Sequence, residues 1–402
     1  MSEKYLKEYE AGYTPKLVME EASRCLLCHD APCSKACPAG TDPAKFIRSV
    51  RFKNFKGAAE TVRINNILGA ICARVCPTER YCQLGCSRSG IDKPIDIGRI
   101  QRYVTDYEDC LKMDILEKKA SNGKKVAVVG SGPAGLSIAG LLALEGCSVV
   151  VFEKDAKAGG YMRYGMPEYR LPSSVVDKEI KRIQKLGVEI RTSTKVEDLK
   201  KLQKEYDAVV LAVGHSKGKM LPMFEGHRFV KTAVDFLHDC KKKKGNIKVP
   251  DNVLVIGGGD VAMDVVTTLK LLGVKQVTDV VYETFEEFRA SKKELMGAQE
   301  QGVSIMDGFV PVSLKGKTVR FTHRFVPSEV KVKADLIILA VGQATEAGAF
   351  GLEVNKLQEV EKVEGNLFTC GDIYKGGEKT VVYAVRSAKE VAYKVKKYLG
   401  GK

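Results

Sequence analysis

A run of apolar residues that passes straight into a glycine turn and then an apolar helix occurs twice in this chain, and few folds accommodate such a pair. In the first copy, Val126-Ala127-Val128-Val129 leads into Gly130-Ser131-Gly132-Pro133-Ala134-Gly135 and the apolar stretch Leu136 to Leu144. Glycine permits a sharp turn, a close approach of backbone to a pyrophosphate, and tight packing of helix on strand. The free N–H groups and the helix dipole then hold the anion. A following strand, Ser148 to Phe152, ends in Glu153 and Lys154, and the Glu153 carboxylate suits the hydroxyls of an adenosine ribose. Strand, glycine turn, helix and terminal acid together point to a dinucleotide site, which glycine spacing alone would not.

The second copy is Asn252 to Ile256, then Gly257-Gly258-Gly259-Asp260-Val261-Ala262, a helix from Met263 to Leu272, and a strand Gln276 to Tyr282 ending at Glu283. Gly257, Gly259 and Ala262 occupy its three cradle positions. A further echo links Tyr206 to Gly214 with Ala334 to Gly342, each a strand delivering a small-residue crossover, at Gly214 and Gly342, beside a bound nucleotide. Strands alternating with helices imply mostly parallel sheets covered on both faces. The simplest topology inserts the second unit, 226–333, into the first, built from 121–225 and 334–402. Residues 1–120 form a helical region joined by the polar link Ala120 to Lys125.

The chain has 402 residues, enough for two or three domains. Its apolar content of 44% and charged content of 29% are those of an ordinary globular protein, and no apolar run approaches a membrane span. Met1 to Glu8 mixes charges and lacks the apolar core of a signal peptide, so a cytoplasmic protein without membrane association is expected. The net charge of +15 is spread along the chain, and its one dense run, Lys241 to Lys244, reads as a solvated loop. No basic stripe interleaved with aromatic residues is present, so nucleic acid is not an expected partner.

Of 12 cysteines, eight fall between Cys25 and Cys86: Cys25, Cys28, Cys33 and Cys37, then Cys72, Cys76, Cys82 and Cys86, with prolines after Cys37 and Cys76. Such clustering in a chain without a secretory signal argues for metal rather than disulfides. Thiolates at these spacings can close around cubic clusters, and Cys-Pro steps occur in ferredoxin-type runs, so two [4Fe-4S] clusters are favoured over two zinc sites, which use similar cysteine pairs. Ligand count alone would assign all eight cysteines.

The run Arg24-Cys25-Leu26-Leu27-Cys28-His29-Asp30-Ala31-Pro32-Cys33, with Cys37-Pro38 and Ile95-Asp96-Ile97-Gly98-Arg99-Ile100-Gln101, resembles the flavin and iron–sulfur module shared by dihydropyrimidine dehydrogenases and the glutamate synthase small subunit. The likeness extends through both nucleotide units. It implies an α/β protein with two nested Rossmann-like domains, for FAD and then NAD, preceded by an α-helical iron–sulfur domain. It also revises the ligand sets, to Cys25, Cys28, Cys33 and Cys86 for one cluster and Cys37, Cys76, Cys82 and Gln101 for the other, with Cys72 a buried non-ligand. The first cradle then holds FAD, joined by Gly159-Gly160-Tyr161, by Arg170 within Tyr164 to Pro172 as a counter-charge to pyrophosphate or reduced flavin, by Gly371-Asp372, and by Thr380-Val381 at the start of the last helix.

The second cradle resembles the family's NAD(P) site. Where NADPH-dependent relatives carry basic residues, this chain has Tyr282-Glu283-Thr284, and a carboxylate repels a 2′-phosphate while accepting from a free 2′-hydroxyl. NADH is therefore the expected nucleotide, although Arg289 matches a family arginine nearby. His29, His215, His227, His238 and His323 show no zinc or triad spacing, and Cys147, Cys240 and Cys370 are solitary. Redox chemistry is thus left to cofactors: FAD exchanges hydride with NAD(H) and passes electrons singly to clusters. The sequence stops at Lys402, short of the barrel and second cluster domain of the full-length dihydropyrimidine dehydrogenases. A partner oxidoreductase subunit with its own flavin is accordingly expected to handle uracil or thymine. Two other readings are an electron-input subunit like that of glutamate synthase or of NADH-dependent ferredoxin:NADP oxidoreductase, and a redox-sensing or assembly protein.

Overall fold

A computed structural model describes residues 3–400; Met1, Ser2, Gly401 and Lys402, at the outer limits of the expected domains, lie outside the described residues. The chain divides into two compact units. One comprises Ser216–Ala344 with Tyr164–Pro172 and the N-terminal residues through Tyr9; the other comprises Glu10–Arg163, Ser173–His215 and Thr345 onward. The inserted span is thus wider than 226–333 at both ends. The cysteine-rich helices do not stand apart but share a unit with the first cradle.

In that unit the strands are ordered Leu367–Thr369, Ala208–Leu211, Lys125–Val129, Ser148–Phe152, Glu189–Arg191, all parallel. Near-continuous Val and Ala in the middle strands fit a sheet buried on both faces. Helix Pro133–Leu144, apolar on every side, packs under the final helix Val381–Tyr398. The opposite face is closed by Leu199, Leu202, Ala347, Val360 and Ile373.

The cysteine-rich helices begin at well-formed caps. Asp42, Asn54 and Asp96 accept from Lys45 N, Gly57 N and Arg99 N and start helices Pro43–Arg51, Phe55–Asn65 and Ile97–Cys110. Their inner faces bury Phe46, Ile47, Val50, Val62, Ile100 and Val104. Arg63 is fully buried: its Nε meets both oxygens of Glu108 at 3.0 and 2.7 Å, and its Nη1 meets Glu179 at 2.8 Å and the Ile67 carbonyl at 3.1 Å. Glu179 lies on helix Ser173–Lys185, so this cation ties two cysteine-domain helices to the flavin-type fold. Arg182 backs the pair, reaching Glu108 at 3.1 Å and Glu179 at 3.0 Å.

The other unit repeats the plan, with parallel strands ordered Val230–Thr232, Leu336–Leu339, Asn252–Ile256, Gln276–Val280, Ser304–Met306. It adds an antiparallel sheet of Phe309–Lys315, Thr318–His323 and Glu329–Lys333. The expected lysine loop is corrected here. Helix Ala233–Lys242 runs into it, and Lys241 is buried, donating to the Leu171 carbonyl at 2.6 Å and pairing with Glu168 at 2.8 Å. No described helix is long and apolar enough to cross a membrane.

Candidate functional site

The first cysteine set lies on loops and caps. Cys25 and Cys28 follow helix Pro15–Ser23, Cys33 lies in the short helix Pro32–Lys35, and Cys86 follows the 81–85 turn. All four line one cavity whose walls include Leu26, Pro32, Ile47, Ile95 and Ile97. Two local features bring them there. Leu27 is left-handed (φ 53°), strain of the kind concentrated at functional sites. Gly85 has no room for a side chain, since a Cβ would sit 2.9 Å from the Pro32 carbonyl oxygen.

Cys72, Cys76 and Cys82 gather around Cys37 as a second set, each of the three close enough to feel a charge on Cys37. Burial pushes the Cys72 thiol up to about 12 and holds Cys76 and Cys82 well above the usual range; in the first set it takes Cys33 to about 11. Thiols so placed become thiolates when a metal displaces the proton. Among the described residues no three His, Cys, Asp or Glu side chains are gathered tightly enough for a single metal ion. The first set surrounds a cavity instead, as a larger cluster of iron and sulfide requires. Gln101 is buried on helix Ile97–Cys110, its Nε2 donating to the Gly69 carbonyl at 2.8 Å, which leaves Oε1 as the atom able to ligate iron.

At the first cradle, Gly130 is left-handed (φ 102°), and a Cβ there would come within 2.5 Å of the Ala212 carbonyl oxygen; one on Gly135 would lie 1.9 Å from the Gly130 oxygen. These two positions require glycine. Nothing lies within 4 Å of a Cβ built on Gly132, so the space over the turn is open. Pro133 and Ala134 begin the helix. Glu153 is buried: its Oε2 accepts from the Ser131 N–H at 3.0 Å and from the Ser131 hydroxyl, while Oε1 accepts from Asp155 N at 2.8 Å. A carboxylate offers about four acceptor directions, which leaves capacity for a ligand hydroxyl. Gly160, followed by Tyr161, presses on Gly132, and Gly371 on Ala134. Asp372 stands beside Gly214; burial pushes its carboxyl up, against the opposing pull of His215 and Lys379. Thr380 caps the final helix at Val381, accepting from Tyr383 N. Lys154 is paired with Glu346 at 2.5 Å.

Arg170 belongs to the other unit, where its buried guanidinium pairs with Asp264 at 2.8 Å and Glu294 at 3.2 Å. Burial raises Asp264 to about 7 even so.

At the second cradle, Gly257 lies against Ala340, and a Cβ on Gly258 would strike Val281 at 2.3 Å and Glu283 Oε2 at 3.0 Å. The space over Gly259 is open. Asp260 accepts from Ser291 N at 2.7 Å, and Val261 and Ala262 follow in helix Asp260–Leu271. Gly342 is left-handed (φ 106°) next to Lys219. Arg289, largely exposed, pairs through Nε with Glu283 Oε1 at 2.9 Å.

With this geometry in place, the comparisons with known proteins are direct. Residues 2–113 match the family described as dihydropyrimidine dehydrogenase domain II, 4Fe-4S cluster, and residues 124–388 match the pyridine nucleotide-disulphide oxidoreductase family. The NAD-dependent dihydropyrimidine dehydrogenase subunit PreT of Escherichia coli K12 is 51% identical, over 99% of this chain and 98% of that protein. The chain belongs to the PreT family. The Salmonella typhimurium member is 50% identical over 98% of this chain and 97% of its own length. A β subunit of an NADP(+)-dependent formate dehydrogenase from Moorella thermoacetica is 30% identical over 92% of this chain and 60% of its own. Among solved structures, T. acidophilum thioredoxin reductase (TM-score 0.56, 17% identity) covers 69% of this chain and 99% of its own. A 2-naphthoyl-CoA reductase (TM-score 0.59, 19% identity) covers 89% and 49%. At those identities the structures speak for the fold alone.

The family match bears out the resemblance read from the cysteine motifs. It makes the chain an oxidoreductase subunit that joins a 4Fe-4S domain to a flavin and pyridine nucleotide domain, and a subunit has a partner. Two features of this family member had no signal in the sequence. Arg324, from a hairpin some forty residues downstream, stacks 4.0 Å over the Tyr282 ring beside Glu283 and pairs with Glu287 at 3.2 Å. Asp264 and Glu294, which claim Arg170, lie far from it in sequence.

Proposed function

We propose that the chain is the NADH-linked electron-transfer subunit of a dihydropyrimidine dehydrogenase, working with a partner subunit that interconverts uracil or thymine and their dihydro forms. The observation that carries this reading is the coexistence, in one compact unit, of two cysteine sets and a dinucleotide cradle whose glycine positions are sterically enforced. FAD, when bound, exchanges a hydride with nicotinamide and passes electrons on singly, and the iron–sulfur centres accept them.

The residues divide the work of binding and selection. Backbone N–H groups of Ser131 to Gly135 and the dipole of helix Pro133–Leu144 hold the FAD pyrophosphate, Glu153 orients its ribose, and Asp372 takes the ribityl chain. Gly160 and Tyr161 would flank a bound flavin, Gly214 and Gly342 would give the close crossovers, and the positive N-terminal end of helix Val381–Tyr398, capped by Thr380, would stabilise negative charge on it. Gly257, Gly259, Asp260, Val261 and Ala262 hold the NAD pyrophosphate, and Glu283 selects NADH by accepting from the 2′-hydroxyl. Cys25, Cys28, Cys33 and Cys86 hold one [4Fe-4S] cluster; Cys37, Cys76, Cys82 and Gln101 hold the other.

The test is purification from the native source with whatever polypeptide accompanies the chain, followed by cofactor analysis and assay. NADH-dependent reduction of uracil by the pair is expected, with artificial-acceptor reduction by the chain alone. A fully loaded chain with no NADH turnover would overturn the catalytic reading. Turnover with an associated polypeptide inactive on uracil and thymine would place this module in another reductase, as the formate dehydrogenase relative illustrates.

A further inference from the structure

The final helix, Val381–Tyr398, starts at the flavin motif and reaches the cysteine-rich segment further along. Its cap, Thr380, follows Gly371 and Asp372, and Tyr81, from the turn between Cys76 and Cys82, sets its ring at a tilt against Tyr383 in the helix's first turn, centroids 5.9 Å apart, and donates to Glu378 at 2.6 Å. Two turns on, Lys389 leaves the helix for the opposite loop. Its ammonium donates to the carbonyl oxygens of Ala39 at 2.7 Å and Asn65 at 3.1 Å.

Both contacts bear on Cys37. Ala39 lies in Cys37-Pro38-Ala39-Gly40-Thr41, a loop that closes on itself when Thr41 N–H donates to Cys37 Sγ at 3.4 Å. Asn65 precedes Asn66, whose amide reaches the Thr41 hydroxyl at 3.4 Å and also the Cys72 thiol. Lys389 therefore pins both segments behind the second cysteine set. Its two acceptors are neutral carbonyls, so its ammonium brings a positive charge to the back of the Cys37–Thr41 loop. A positive charge near a centre that gains an electron stabilises the reduced form, the more so where water is excluded.

We propose that Lys389 is a positioning residue for the iron–sulfur cluster ligated through Cys37, fixing the Cys37–Thr41 loop to the flavin-side helix and making that cluster easier to reduce. The proposal rests on the reading of Cys37 as a cluster ligand. Its test uses the full chain, wild type, Lys389→Met and Lys389→Arg, with iron content measured first and each cluster then titrated electrochemically by EPR. At the potential where the wild-type second cluster is half reduced, the ratio of reduced to oxidised cluster is expected to fall about tenfold in Lys389→Met, about 59 mV for one electron. Lys389→Arg should restore it, and the first cluster should not move. Loss of the second cluster in Lys389→Met with retention in Lys389→Arg also supports the proposal. An unchanged ratio, an equal shift in both clusters, or loss in both variants overturns it. Wild-type iron sufficient for one cluster only would refute the two-cluster reading itself, an outcome separate from any effect of position 389.

Discussion

Replacing Arg63 with Met keeps the side chain's length and apolar stem but removes the cation that Glu108 and Glu179 face. Both carboxylates have fully buried side chains, so the variant leaves two buried negative charges short of their main partner. Breaking a buried pair in this way costs about 3–5 kcal/mol. Arg182, 3.1 Å from Glu108 and 3.0 Å from Glu179, remains and moves the expectation to the lower end, about 3 kcal/mol. For a unit of this size that lowers the melting temperature by roughly 6–12 °C. Urea and thermal unfolding of the loaded protein, followed through the transition of the cysteine-rich and flavin-type unit, measure it. The pH dependence gives a second readout. Burial already raises the Glu108 pKa with Arg63 opposing it, and without Arg63 the folded-state value rises further. Stability of the variant should therefore fall as pH rises from the unfolded carboxyl range, about 4.3, through the higher folded value, and its deficit against wild type should widen as pH rises above that range. The triple variant Arg63→Met, Glu108→Leu, Glu179→Leu should recover most of the loss. A deficit below about 1 kcal/mol, or a triple variant no better than the single one, would refute the electrostatic account.

Two further outcomes are expected at the cofactor sites. Wild-type protein should favour NADH over NADPH in kcat/KM by at least about tenfold, and Glu283→Arg should shrink that ratio; because Arg289 rests on the Glu283 carboxylate, Arg289→Ala should widen it, and a clear wild-type preference for NADPH would sink the assignment. Gln101→Ala should cost the second cluster while Cys72→Ala retains it, read by iron content and EPR; loss confined to the Cys72 variant would return the ligand set to all eight cysteines.

What could be read from sequence was whatever rests on short-range pattern. The two cradles need glycine because backbone oxygens crowd Gly130 and Gly135, and that demand is written in adjacent residues. The strand from Ser148 to Phe152 was legible as a continuous apolar run, since a parallel sheet buries both its faces. Pairings across long separations were not. Arg170 stands inside a flavin-like motif, yet its partners Asp264 and Glu294 are about a hundred residues away. Lys241 sits in a lysine run that reads as solvated, and only the fold shows Glu168 and the Leu171 carbonyl waiting for it. Likewise nothing in the local sequence of Lys389 hints at Ala39.

The order of strands in the flavin-type sheet also governs when it can be finished. Its edge strand, Leu367–Thr369, pairs with Ala208–Leu211, but the whole nicotinamide-type segment is synthesised between them. At a synthesis rate of about 5–20 residues per second, the roughly 155 intervening residues take some 8–30 s to appear. During that time the inserted unit has all five strands of its own parallel sheet available from Leu339 onward, whereas its host waits. The host sheet closes last, and with it helix Val381–Tyr398, whose Lys389 reaches back to the earliest-made cysteine loops. A nascent chain therefore completes its nicotinamide-type unit before its flavin-type unit, and a truncation that spares all eight clustered cysteines and both cradles, yet removes the last forty residues, leaves the first-made half without its closing strand and helix.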